Sequence, residues 1–395
     1  MVSDRQARIA LTTIFVTSGV FLGSWSARIP AVKSELHLSS ARLGLILACS
    51  ILGSISASPP AGFLSARFGS RRVLRFSAPF GAAAFAFVAL APSAPLLAVA
   101  LFCWGFASGV VNVSMNTQAI ALEARYRRTI LSTMHGGFSI GMMAGALLAF
   151  LVVYLNVSYR AHLLVVALVL LAGAVAIGFF LIETERGARA RASHRRIGFS
   201  MALMVIAAAL FFDTFCEGTA GSWSALYSKS AGSSAAVAAL PLGLYSLMMA
   251  IGRFRGDRLV MRMGVGGLVR AGSVAAFCGL GLALAFPTPV VVLIGFGLFG
   301  IGLSCQAPTL YRAAGQLSLP EGQGLAMALL AAWPAALLVG PLIGGLSSLI
   351  SLREALLVAL AAAIAMTSLS GALGRLAPLP VGAGEKLPVE PEYPL

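Results

Sequence analysis

Two carboxylates in an otherwise apolar stretch are the residues best placed to do chemistry in this sequence. Asp213 and Glu217 stand in "FSMALMVIAAALFFDTFCEGTAGSWSALY" (199–227). Four residues apart in a helix, they project from one face, about 14 and 18 residues into the stretch. A carboxylate in hydrocarbon costs at least about 2.5–3.5 kcal/mol, so both should face a bundle interior or water. Desolvation and mutual repulsion both favour the protonated form, so at least one should hold a proton near neutrality. That is the chemistry of a proton-coupling site, with Glu217 leading because it adjoins the motif "GSWSA". The plainer alternative is a neutral acid tying helices together by a hydrogen bond. Arg28 is the obvious counter-charge, three residues after Trp25 at the end of the first apolar run. It could pair with Glu217, hold an anionic substrate bidentately, or snorkel to the outer interface.

The elements that must position these groups are membrane helices. Hydrophobic residues make up 59% of the 395 residues and charged ones 10%, with a mean hydropathy of +0.93; soluble domains are about 25% charged. Runs of about 20 apolar residues span a bilayer. Twelve are read here, at roughly 9–30, 43–64, 74–92, 96–121, 130–154, 161–182, 200–227, 235–255, 267–286, 290–313, 322–350 and 353–376. None alternates as a membrane barrel strand would.

The net charge of +15 is distributed by topology. With both termini on one side, that side carries 22 Lys and Arg and the other side 6. This asymmetry predicts a multi-pass protein of the inner (plasma) membrane with cytoplasmic termini. It argues against nucleic acid as a partner, while leaving attraction to anionic lipid. Arg5 and Arg8 before an apolar run resemble a signal peptide. The run is instead read as the first span, because "SWSA" recurs in mid-chain where no peptidase would act. Five scattered cysteines, Cys49, Cys103, Cys216, Cys278 and Cys305, suggest buried side chains rather than disulfides or a metal site.

The sequence also repeats itself. "GSWSA" occurs at Gly23–Ala27 and Gly221–Ala225, an offset of 198 residues. "GMMAG" at Gly141–Gly145 lines up with "GPLIG" at Gly340–Gly344, an offset of 199. Two parallel matches near half the chain length imply duplicated six-helix halves. The predicted organisation is a bundle at 1–182, a cytoplasmic linker at 183–199, a second bundle at 200–376, and a disordered Pro-rich tail at 377–395. Secondary transporters built from such repeats bind substrate near the midplane between the halves.

These features resemble the major facilitator superfamily over essentially the whole chain. Its loop signature between spans two and three, G-x-x-x-D-R-x-G-R-R, is matched at Gly62, Arg67, Gly69 and Arg71 in "GFLSARFGSRR". Ala66 replaces the aspartate and Ser70 the next basic position. The second-half loop "GRFRGDRLVMRMG" keeps an acid at Asp257. The pattern, including "EGTAGSWSALY", is most similar to the MosC/YbjJ-like branch. The fourth-span signature R-x-x-x-G is absent, with Leu101 at the arginine position before Gly105, so no coupling mechanism resting on that arginine carries over.

The resemblance implies a conformational role for the loop residues and lines a central cavity with spans one, four, seven and ten. Asn112 and Asn116 share a face of the fourth span, with Gln118 nearby, and Gln306 is the tenth-span candidate before Pro308. Amides suit neutral polar solutes, or else bond helices to one another. Trp25 and Trp223 are either interfacial belt residues or substrate-stacking gates. His135 is a proton-relay candidate, although a lone histidine is more often structural. Gly137, Gly141 and Gly145 permit close helix approach. "GPLIGG" resembles the superfamily's antiporter signature, but in the eleventh span rather than the fifth.

No phosphate-binding loop and no H-x-x-x-H or C-x-x-C spacing is present, so no enzyme, cofactor or metal site is expected. The reading is an all-α, twelve-span, two-bundle monomeric secondary transporter. It would move a small polar organic solute by alternating access, coupled to protons. Proton-antiport efflux of drugs or metabolites is the alternative, and a non-transporting receptor or scaffold is the alternative from another class.

Overall fold

The computed structural model describes residues 3–126, 130–183, 200–317 and 323–377. Among them lie α1 (Asp4–Glu35), α2 (Ser40–Phe68), α3 (Ser70–Leu90), α4 (Ala94–Tyr126), α5 (Leu131–Tyr154), α6 (Tyr159–Ile177) and α7 (Met201–Ser230). They are followed by α8 (Leu240–Ala285), α9 (Pro289–Leu303), α10 (Gln306–Gly315), α11 (Gln323–Leu349), α12 (Leu352–Ala355) and α13 (Leu357–Leu376). Helix is the form that satisfies backbone polar groups within one segment where water is absent. Side-chain caps mark several starts, with Ser39, Ser158 and Ser200 accepting from backbone N–H groups of α2, α6 and α7.

Among the described residues, twelve helical segments are long and apolar enough to cross a membrane. α8 supplies the eighth and ninth because Gly264, at φ 68°, turns the chain back within it; glycine alone enters that region without steric cost. The tenth is built from α9 and α10, interrupted at Ser304–Cys305. The break does not fall at Pro308, which lies in the first turn of α10. There its missing N–H costs no hydrogen bond.

The helices form two six-span bundles. In the first, α1 packs on α5, α6 and α4, while α3 and α2 pack on α4. In the second, α7 packs on α11, α13 and α10, and α8 on α9 and α13. The bundles meet along α2 with α11, α5 with α8, and α1 with α7.

Small residues set the closest crossings. A Cβ placed on Gly141 would collide with the backbone oxygen of Val16, and one on Gly145 would crowd Val20 and Ser24. The four-residue glycine spacing therefore packs α5 against α1. "GPLIG" serves a crossing between bundles, where Gly44 of α2 and Gly340 of α11 each leave room for the other's carbonyl. Gly44→Val should force these helices apart and lower stability by roughly 1–3 kcal/mol, measured as an earlier thermal transition in detergent. An unchanged transition would mean that the crossing relaxes freely.

Of the signature-loop residues, Gly62 lies within α2 facing open space, and Gly69 joins α2 to α3 at φ 83°. Arg67 stacks 5.4 Å from the Phe68 ring centroid. Arg71 pairs with Glu183 at 3.2 Å and donates to the Phe179 carbonyl at 3.3 Å. Asp257 falls within α8, its side chain outside the described ones. Linker residues 184–199 and tail residues 378–395 also lie outside the described residues.

Candidate functional site

A cavity of about 330 Å³ lies between the bundles, within the range of small-ligand sites. α1, α2, α4 and α5 wall it from one side, and α7, α8 and α11 from the other. Trp25, Trp104, Phe138 and Tyr245 give it aromatic walls, while Ser26, Ser139, Thr214 and Ser222 bring hydroxyls. Its two charged lining residues are Glu217 and Arg253.

These two form an ion pair, Nη2 to Oε1, at 3.4 Å. Their side chains are 11% (Arg253) and 31% (Glu217) accessible, so the pair faces the cavity rather than bulk water. Nη1 of Arg253 donates to Ser139 Oγ at 2.8 Å and to the His135 carbonyl at 3.5 Å. One guanidinium thus ties α8 to α7 in its own bundle and to α5 in the other. One turn before Glu217, Asp213 is fully buried, and neither of its oxygens has a hydrogen-bond partner among the described residues.

His135 continues the polar path into the first bundle. Its Nε2 lies 3.3 Å from Asn116 Oδ1, and its ring meets Phe15 edge-on at 5.1 Å. Asn116 in turn donates to the Asn112 carbonyl at 2.8 Å. Glu217, His135, Asn116 and Asn112 are therefore joined through Arg253, with Asp213 one turn away from Glu217 and hydrogen-bonded to none of them. The asparagines are not among the cavity-lining residues.

Several expected placements are corrected. Arg28 does not pair with Glu217: its Nε donates to His162 Nδ1 at 3.1 Å and its Nη2 to the Val157 carbonyl at 2.6 Å. It is 4% exposed, so it does not snorkel either. It pins the far end of α1 to α6, turned from the cavity that Trp25, three residues earlier, helps to line. Trp223, the repeat partner of Trp25, is wholly buried in the core, with no partner for its indole N–H among the described residues. Gln306 is 1% exposed, and its amide returns to the Gly302 carbonyl at 3.2 Å beside Gly272 of α8. Gln118 clamps α4 to Ser70 and to the backbone of Ile182. Gln118 is the helix-bonding alternative, while Gln306 folds back on its own span.

Arg28→Ala should leave the His162 and Val157 acceptors buried without a donor. The expected loss is about 1–3 kcal/mol, seen as a lower thermal transition while ligand affinity at the cavity holds. Lost affinity at normal stability would place Arg28 in the binding site after all.

Arg253 and Ser139 were missed. A signal was present: the eighth apolar run, read as 235–255, includes Arg253. Its neighbours Arg255 and Arg258 disguise an intramembrane arginine as a topological one.

The sequence profile of the Major Facilitator Superfamily matches residues 9–331. The Sinorhizobium fredii (strain NBRC 101917 / NGR234) protein "Uncharacterized transporter y4wD" is 31% identical over 337 residues, covering 84% of this chain and 88% of its own. "Membrane protein MosC" of Rhizobium meliloti is 27% identical, covering 89% and 86%. Among solved structures, the nucleoside transporter NupG aligns with a TM-score of 0.69 at 14% identity, over 94% of this chain and 98% of its own. The D-xylose-proton symporter aligns with a TM-score of 0.69 at 16% identity, over 94% and 98%.

Proposed function

We propose, from the premise that this chain belongs to the major facilitator superfamily, that it moves a small organic solute by alternating access, coupled to protons at Glu217 and Asp213. The observation that carries this reading is the Glu217–Arg253 pair inside the cavity between the bundles. An intramembrane ionisable pair facing a cavity marks a solute or ion pathway more often than a structural tie. In this reading Asp213 holds a proton, since no cation among the described residues touches it, and Glu217 is the acid whose charge changes during transport. His135 and Asn116 lie on the route by which a proton would reach the pair from the first bundle. The charge asymmetry supports cytoplasmic termini in an inner membrane, and the six-span halves are read as 1–182 and 200–376.

The cavity supports a solute with a flat apolar face and a few hydroxyl-like groups. Aromatic walls offer stacking, and Ser139, Thr214 and Ser222 offer hydrogen bonds. The amides expected to select a hydrophilic solute lie elsewhere, so amphiphile efflux by proton antiport is the second reading, favoured by those aromatic walls.

The test is a ligand-stabilisation screen of purified protein against sugars, polyols, amines and organic acids at two pH values. Hits then enter transport assays in proteoliposomes with an imposed pH gradient. The expected result is a stabilising solute whose uptake or release follows the gradient. A solute carried at equal rates with and without the gradient would remove proton coupling, and no flux from any stabilising solute would favour a receptor.

A further inference from the structure

Arg28 carries a charge that its surroundings do not balance. It is 4% exposed and belongs to none of the four ion pairs among the described residues. Its Nε and Nη2 are taken by the His162 ring and the Val157 carbonyl, both neutral acceptors. Because His162 Nδ1 accepts, the neutral ring carries its hydrogen on Nε2, which has no partner among the described residues. Ser24, one turn before Arg28, has an equally unpartnered hydroxyl. The seam between α1 and α6 is thus rich in donors and poor in acceptors. Nη1 of Arg28 makes no hydrogen bond among the described residues, and it is not one of their sealed atoms.

The internal repeat supplies a comparison. The 198-residue offset of "GSWSA" puts Leu226 of α7 in the place of Arg28, and Leu226 is a core residue, 8% exposed. The fold therefore holds a helix at that place without a guanidinium. A buried guanidinium with no counter-charge is destabilising, so a tie to α6 alone does not account for it.

Depth points to the partner. Arg8 opens the apolar run of α1, and Arg28 stands 28 − 8 = 20 residues later. At 1.5 Å per residue that is about 30 Å, the thickness of the hydrocarbon core. Arg28 therefore lies at headgroup level in the leaflet opposite the start of α1. Beside it, the α5–α6 turn exposes Leu155 and Val157, and α6 exposes Val165, Leu168 and Val169. The α6 span is the least buried of the twelve.

We infer that Arg28 binds the phosphodiester of an anionic phospholipid whose acyl chains lie along α6. The phosphate takes the N–H groups of Nη1 in a charge-assisted contact, leaving the bonds to His162 and Val157 in place. A zwitterionic headgroup brings its own cation, so a net negative one balances the seam better. No covalent bond changes, and the site stands independently of proton coupling.

The experiment reads lipid preference beside Arg28, in a chain whose five native cysteines have been replaced. Val165→Cys, at an exposed position of α6, carries a fluorophore, and Ile294→Cys, exposed on α9, carries it in the comparison protein. Phosphatidylcholine vesicles hold spin-labelled phosphatidylglycerol or spin-labelled phosphatidylcholine as the quencher. At Val165→Cys the anionic lipid should be favoured about fivefold, roughly the worth of one basic residue at an anionic headgroup. At Ile294→Cys no such preference is expected. Arg28→Gln should abolish the preference at Val165→Cys, while Arg160→Gln, which removes the arginine paired with Glu35 at the start of α6, should leave it. Equal quenching by the two lipids at Val165→Cys, or a preference that Arg28→Gln retains, overturns the site. Should Arg28→Gln not fold, Arg160→Gln decides, and a preference lost there belongs to Arg160 instead. Phosphate and chloride buffers of equal ionic strength separate the sources. An unchanged preference supports the lipid, whereas one abolished by inorganic phosphate assigns Arg28 to a free oxyanion and overturns the lipid.

Discussion

Glu217→Gln is expected to uncouple solute from protons. In the wild type, shifting pH across the range in which Glu217 changes charge should alter apparent solute affinity by about 5–150-fold, the span of a coupling free energy of about 1–3 kcal/mol. The glutamine keeps the shape and hydrogen-bonding capacity of the protonated acid but cannot exchange the proton. Solute affinity should therefore freeze near its low-pH value, and accumulation driven by a pH gradient should vanish. Exchange of labelled for unlabelled solute across the membrane should persist, since it needs no net proton movement. Binding isotherms at two pH values, with gradient-driven uptake and exchange in proteoliposomes, give all three readouts. A Glu217→Gln protein that still concentrates solute against its gradient would move the coupling site elsewhere.

Arg253→Ala should be the most damaging single change to stability in the cavity. It leaves Glu217 facing Asp213 with no cation in contact, and breaking a buried pair from one side costs about 3–5 kcal/mol. Glu217 is 31% accessible, so the low end of that range is expected. The same change removes the donor from Ser139 Oγ and the His135 carbonyl. The combined replacement Glu217→Gln with Arg253→Ala should recover most of the stability, because no uncompensated charge remains, yet it should not restore gradient-driven transport. Thermal unfolding of the two singles and the double forms a cycle. Additive losses would show that the two side chains do not interact.

Much of the framework was legible because membrane insertion acts on linear properties of the chain. Twelve spans followed from runs of apolar residues. Duplication followed from "GSWSA" and the glycine segments. Asp213 and Glu217 stood out because a carboxylate within a span is expensive wherever the helix points. The partners of these acids were not legible. Arg28 was the nearest cation on a cavity helix by sequence logic, but it faces His162. Arg253 looked like one more residue of a basic loop, but it faces Glu217. Asn116 meets His135, and Gln306 of the tenth span folds back on its own helix. The repeat was a poor guide here, since Trp25 lines the cavity while Trp223 lies sealed in the core.

The sequence by itself determined an all-helical twelve-span chain in two related halves, with two acids inside the seventh span. Hydropathy and charge act residue by residue, so they survive reading in one dimension. Only the tertiary structure decided which cation meets Glu217 and that it also reaches the other bundle. That choice depends on helix rotation and on backbone approach at crossings such as Gly44 with Gly340. A rotation of one residue about a helix axis, about 100°, separates an arginine in the cavity from one in the lipid.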